Sequence, residues 1–230
     1  MINLFNKFLY EPLLQSLVFL YQNFSFHDLG IAIIILTIII RFVLFPLFYK
    51  GAKDQAILQR LTPKIKEIQK NHKDDKEKQT QALLNLYKEH KVNPFSGFLL
   101  LLIQLPILIA LYKVFLDGLS KMSLDGPINN LFLGIIDLSQ RSILLVVIAV
   151  VIQYYQGKLA LPKSNKPAGA EPDIAERVGR QMVFMGPIMT FVFLYFFNLP
   201  SAVALYWLTT SLFSVVQQIF INKRIKSMNI

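Results

Sequence analysis

Cysteine is absent from the 230 residues. That excludes disulfides, thiolate zinc sites, catalytic thiols and a lipid-modified N-terminal cysteine. Charge is scarce as well: 17% of residues are charged and 54% are hydrophobic, whereas a soluble domain carries roughly a quarter and a half. The histidines are His27, His72 and His90, scattered along the chain, so no metal site is expected. There is no glycine-rich phosphate loop and no G-x-S-x-G nucleophile turn. The apolar runs hold no Asp or Glu of the kind that proton relays use. The expectation is a protein without a cofactor that is not an enzyme. The N-terminus lacks a basic start, a clean apolar core and a small-residue cleavage site, so no removable signal peptide is expected.

What the chain does have is apolar runs near twenty residues long, the length at which a helix crosses the hydrocarbon core. The expected fold class is an all-α integral membrane protein with five transmembrane helices, a cytoplasmic helical hairpin and an N-terminal interfacial amphipathic helix. Residues 1–28 mix apolar Phe5, Phe8, Leu9 and Leu13 with Lys7, Glu11 and Gln15, interrupted by Pro12, a pattern suited to lying in the interface. Span 1 is placed at 29–49, the hairpin at 50–93, span 2 at 94–116 and an extracytoplasmic loop at 117–141. Span 3 follows at 142–161, a cytoplasmic loop at 162–181, span 4 at 182–198, span 5 at 202–221 and a cytoplasmic tail at 222–230.

Residues 50–93 hold eleven Lys/Arg and six Asp/Glu yet keep Ile57, Leu61, Ile65 and Ile68 at helical spacing, the pattern of a charged amphipathic αα-hairpin. The turn is expected at 71–75, and Thr62-Pro63 is expected to kink or restart the first arm. Nineteen Lys/Arg fall in the hairpin, the loop before span 4 and the tail, against four at Lys7, Lys113, Lys121 and Arg141. The side rich in Lys/Arg faces the cytoplasm, which puts the N-terminus outside and the C-terminus inside.

Arg41 is the outlier. It interrupts span 1 about 13 Å along a straight helix from Lys50, at a depth where arginine costs about 2.5–3.5 kcal/mol. Snorkelling to the headgroups is the plain explanation. Against it, Thr37 lies one turn earlier on the same face, and no span offers a carboxylate. A guanidinium so placed needs water, carbonyls or amides, and this predicts a wet cavity open to the cytoplasm. Trp207, Thr210, Ser211, Ser214, Gln217 and Gln218 form a polar stripe that fits one wall. Gln104 and Gln153 are lone amides in apolar runs, and either can equally join neighbouring helices. The hairpin's excess of five positive charges is a solvated face, or else suits anionic headgroups or ribosomal RNA.

LGIAIIILTIIIRFVLFPL, LQRLTPKIKEIQKNHKDDKEKQTQALLNLYKEHKVNPFSG, LLIQLPILIALYKVF and LPSAVALYWLTTSLFSVVQQIFINKRI together resemble the YidC/Oxa/Alb family of membrane protein insertases. The resemblance runs from about Tyr10 to Arg224. It implies a five-helix core around a hydrophilic groove, open to cytoplasm and lipid and closed to the outside. Arg41, Thr37, Gln153 and Trp207 match groove positions, and Ser211 and Ser214 extend that lining along span 5. The implied partners are nascent membrane proteins and the lipid bilayer, with the ribosome and a Sec translocon as further candidates and a monomer as the default. Departures exist. Gly97 is followed by Phe98-Leu99-Leu100 where the family often reads G-C-L-P. Neither the large extracytoplasmic domain of Gram-negative members nor the lipoprotein cysteine of many Gram-positive ones is expected here, and a short tail is expected.

The function implied is that of an insertase and chaperone. It passes short hydrophilic tails through the groove and releases their helices into lipid. A small-solute transporter or channel using the same groove is the alternative, although it needs polar outer halves where span 1 reads IAIIIL. A scaffold for other membrane proteins would leave Arg41 without a role.

Overall fold

A computed structural model describes residues 2–118, 128–161 and 174–226 of the chain. The parts of the expected 117–141 and 162–181 loops and of the 222–230 tail that fall elsewhere lie outside the described residues. The elements are α1 (Ile2–Phe5), a π-helical turn (Asn6–Tyr10), α2 (Glu11–Asn23), α3 (Leu29–Val43), α4 (Phe45–Asn71), α5 (Lys76–Glu89) and α6 (Ser96–Lys113). A second π-helical turn (Val114–Gly118) extends α6. Then come β1 (Leu131–Phe132), β2 (Ile136–Asp137), α7 (Ile143–Ala160), α8 (Ile174–Phe196) and α9 (Ser201–Lys226).

Among the described residues, three helical stretches are long and apolar enough to cross a membrane: Ser96–Leu116, Ile143–Ala160 and Ser201–Arg224. Leu29–Val43 and Phe45–Asn71 pass only as a pair bent by 69°, and Val183–Phe196 is a shorter apolar helix. The protein is therefore a helical membrane protein with three such helices, or four if the bent pair is one span.

Within the expected first span, 29–49, the chain bends where α3 gives way to α4. Asp28 starts α3 by accepting from the Ile31 amide at 3.0 Å, as an N-cap does. α3 ends before Pro46, which has no N–H for the Phe42 carbonyl and whose ring would strike it. Pro46 instead sits in the first turn of α4, where proline is tolerated. Pro63, by contrast, lies inside a continuous α4, so the first arm does not restart at Thr62-Pro63. α8 also begins earlier than expected, at Ile174, within the stretch read as a polar loop to 181. The Ala, Glu, Arg and Gln of that stretch are good helix formers.

The all-α expectation needs one amendment, between α6 and α7. β1 and β2 pair antiparallel, Leu131 opposite Asp137 and Phe132 opposite Ile136. Leu133 and Gly134 make the turn with φ of 52° and 71°, a left-handed backbone that glycine adopts at no steric cost. The second carboxylate oxygen of Asp28 accepts from the Leu133 amide at 2.7 Å, and the Phe132 ring fills the space beside Gly30 that a Cβ would need. The amides of Ser201 and Ala202 donate to the carbonyls of Gln140 (2.8 Å) and Leu138 (3.1 Å). The N-terminal ends of α3 and α9 are thus both tied to this loop.

The main core joins Leu17 of α2, Ile33 and Leu36 of α3, Val146 and Ala149 of α7, Leu194 of α8 and Val203 of α9. α9 touches α3, α4 and α7, and α7 also lies on α8. Outward-facing Phe42, Leu105, Ile148, Met189 and Phe220 are exposed, as lipid-facing positions are. A second, smaller core joins Ile57 and Leu61 of α4, Leu86 of α5 and Ile221 of α9. Its members join the two charged arms to each other, and α4 lies on α9.

Candidate functional site: the buried arginine and its neighbours

Arg41 occupies the last turn of α3 and is only 5% exposed. One terminal nitrogen, Nη2, donates to the main-chain carbonyl of Thr210 at 2.9 Å and also to the Ser214 hydroxyl. The same carbonyl accepts from Ser214 Oγ at 2.9 Å, so three polar groups converge on one turn of α9. The guanidinium carbon lies 4.4 Å from the centroid of the Phe48 ring and 5.5 Å from that of Phe213, within cation–π range. A straight helix would put Phe48 two turns from Arg41, roughly 10 Å along its axis; the bend at Leu44 turns Phe48 back beneath the guanidinium. No carboxylate joins this set among the described residues. Arg41 Nε is buried without a hydrogen-bond partner. The charge is therefore held by a carbonyl, a hydroxyl and two ring faces, all neutral.

Thr37 is 1% exposed, and its hydroxyl donates to the Ile33 carbonyl of its own helix at 2.6 Å. It lies one turn from Arg41 and forms no hydrogen bond with it. Ser214 is in direct contact with Arg41. Ser211 is buried, with no hydrogen bond to the guanidinium. Trp207 is half-buried, its ring centroid 5.7 Å from that of Phe193 on α8. Gln153 lies beside Gly186 of α8, where a Cβ would stand 3.6 Å from its amide nitrogen, and its carbonyl oxygen is buried without a partner.

The α9 stripe thus divides. Ser214 meets Arg41 through its hydroxyl, and Thr210 meets it only through its main-chain carbonyl. Gln218 donates to Asn222 at 3.0 Å, and Asn222 donates to the Leu159 carbonyl at 2.7 Å, joining α9 to the end of α7. Gln104 reaches the hydroxyl of Tyr206, itself 3% exposed. This is the helix-joining role already weighed for a lone amide.

Sequence reasoning missed Phe48, Phe213 and Tyr206, because aromatic residues in an apolar run carry no mark of a charged neighbour. It also missed Asp54. That carboxylate, 3% exposed on α4, accepts from Ser96 Oγ at 2.6 Å and from the Asn93 amide at 3.4 Å. It ties the first arm to the entry of α6, and an acidic residue at an apolar register position of that arm was the available signal.

Residues 19–228 match the family described as 60Kd inner membrane protein. A relative from Geotalea uraniireducens (strain Rf4), named membrane protein insertase YidC, is 35% identical over 94% of this chain and 38% of its own length. One from Syntrophus aciditrophicus (strain SB), with the same name, is 37% identical over 95% of this chain and 37% of its own. A third so named, from Magnetococcus marinus (strain ATCC BAA-1437 / JCM 17883 / MC-1), is 35% identical over 95% and 36%. The chain spans somewhat over a third of the length of these curated relatives.

Proposed function

Because this chain belongs to the 60Kd inner membrane protein family, we propose that it works as a membrane protein insertase, the activity its relatives are named for. The observation that carries the reading is Arg41, a buried cation with neutral partners and an unpaired Nε. A positive site without a counter-ion attracts an acidic segment, and a polar lining shortens the apolar distance that segment must cross. The substrate's acidic tail is drawn to Arg41, passes the barrier, and its apolar helix leaves sideways into lipid. No energy source of the protein's own is required.

Thr37, Gln153, Trp207, Ser211 and Ser214 are the remaining groove positions in this reading. The partnerless carbonyl oxygen of Gln153 supports it. So does the outer loop tied to Asp28 and Ser201, which suits a groove closed on that side. The spans are 29–49, 94–116, 142–161, 182–198 and 202–221, in a bacterial inner membrane with the N-terminus outside. The chain acts as a monomer on nascent membrane proteins, and the ribosome and a Sec translocon are further candidate partners.

The test is reconstitution of the purified chain into liposomes and insertion of a single-span substrate with an acidic N-terminal tail. Insertion should depend on the chain, fall at least tenfold in Arg41→Ala and fall less in Arg41→Lys. Insertion no better than in empty liposomes would end the proposal.

A further inference from the structure

Where α5 returns towards the bundle, Lys50, Lys88, Lys91, Leu84 and Phe95 line a cavity of about 380 Å³. All three lysines are exposed, and none forms an ion pair among the described residues. The carboxylate in the wall, Asp54, already accepts from Ser96 and the Asn93 amide. The site is therefore cationic, with its three ammonium groups uncommitted.

Two further features point to what such a site holds. Phe95 directly precedes Ser96–Leu116, the apolar helix long enough to span a membrane, so the cavity opens where that helix begins. Phe95, Phe98, Leu99 and Leu102 are between 48% and 71% exposed and fall at i, i+3, i+4 and i+7, one continuous face. An ammonium cluster at the head of an exposed apolar stripe matches a molecule with an anionic head and an apolar tail. Lys91 adds a backbone argument. Its φ is 51°, and the bond from the Val92 amide to the Tyr87 carbonyl (3.0 Å) closes α5 around it. Glycine or asparagine suits that left-handed position better than lysine does. Helix closure alone does not call for this side chain.

We propose that Lys50, Lys88 and Lys91 form a binding site for the phosphate of an anionic glycerophospholipid whose acyl chains lie along Phe95, Phe98 and Leu102. The site docks the foot of the hairpin to the membrane surface, and it stands whether or not the chain is an insertase.

Native mass spectrometry of the full chain, released from nanodiscs of dioleoyl phosphatidylglycerol or dioleoyl phosphatidylcholine, tests it. The wild type should retain the anionic lipid and not the zwitterionic one. Retention should fall roughly fivefold for each lysine changed to Gln, and the triple Lys→Arg variant should keep it. Lys70→Gln, Lys73→Gln and Lys76→Gln, charge-matched at the far end of the hairpin, should leave retention unchanged. Lys91→Gly should lower retention without lowering the thermal midpoint. Equal retention of the two lipids, equal loss in the far-end triple, or no loss in Lys50→Gln/Lys88→Gln/Lys91→Gln would each overturn the site. Release of polyuridine but not lipid by that last triple would assign the patch to RNA and overturn it too.

Discussion

The guanidinium of Arg41 on α3 donates to the main-chain carbonyl of Thr210 on α9 at 2.9 Å, across 169 positions of sequence. A carbonyl in an apolar helix carries only a partial charge, so the arginine stays a net cation inside the bundle. If that net charge is what matters, a carboxylate placed beside it should cancel it. Ser214→Glu sets one against Nη2, whereas Ser214→Ala removes only the hydroxyl. Insertion of acidic-tailed substrates should fall about tenfold or more in Ser214→Glu and less than threefold in Ser214→Ala. Neutral-tailed substrates run in parallel should separate the two; equal losses for both tails would speak against an electrostatic role.

Asp54 should be a determinant of stability. Truncation to Ala leaves the Asn93 amide and the Ser96 hydroxyl without their shared acceptor, a loss of about 1–3 kcal/mol for buried polar groups. Asp54→Asn keeps an acceptor oxygen and should cost less. Thermal unfolding in detergent ranks the pair, and an unchanged midpoint in Asp54→Ala would show that the tie is not used.

Gly30 is a site of close approach between α3 and the β1–β2 loop. A methyl group there runs into the Phe132 ring. Alanine is otherwise the better helix residue by about 1 kcal/mol. Gly30→Ala should nevertheless destabilise by about 1–2 kcal/mol, because overpacking outweighs propensity. Adding Phe132→Leu should recover part of the loss, and a double-mutant cycle on thermal midpoints measures that coupling.

Asp75 couples the hairpin turn to pH. Its carboxylate accepts from the Lys78 amide at 3.0 Å and pairs with the Lys78 ammonium at 3.0 Å. The amide bond first, and then the ammonium, hold its pKa below the ordinary carboxylate range. With the folded value depressed, the capping contribution is present above the unfolded pKa of about 3.9. It is lost as pH falls through the lower, folded value. Exchange at the Lys78 amide, referenced to other hairpin amides, should accelerate over that acid range. Asp75→Asn should abolish the acceleration, and a pH-independent Lys78 amide in the native chain would refute the coupling.

Much of this protein is legible one segment at a time. Runs such as IAIIILTIII and LLLLIQLPILIALY are apolar whatever they touch, and twenty such residues have one stable place to be. The polar turn before Asp75 and the family resemblance are likewise carried by contiguous residues. The sequence is least informative where two rules compete at one residue. Pro46 sits in an apolar run, and the run's length masked a break that bends the chain by 69°. Pro63 can kink a helix or restart it, and here α4 runs through it without a restart. Leu131–Phe132 and Ile136–Asp137 are too short to leave an alternating pattern.

The sequence by itself determined the membrane class, the helical character, the family and the anomaly at Arg41. Each of these is a property summed over neighbouring residues or fixed by one residue type in the wrong solvent. Only the tertiary structure decided what Arg41 touches. Thr210, Ser214 and Phe213 reach it because α9 lies against α3, and Phe48 reaches it because Pro46 cannot donate a hydrogen bond. Side-chain partners are chosen by the angles at which helices meet and bend, and those angles depend on the whole set of contacts rather than on any stretch of the chain.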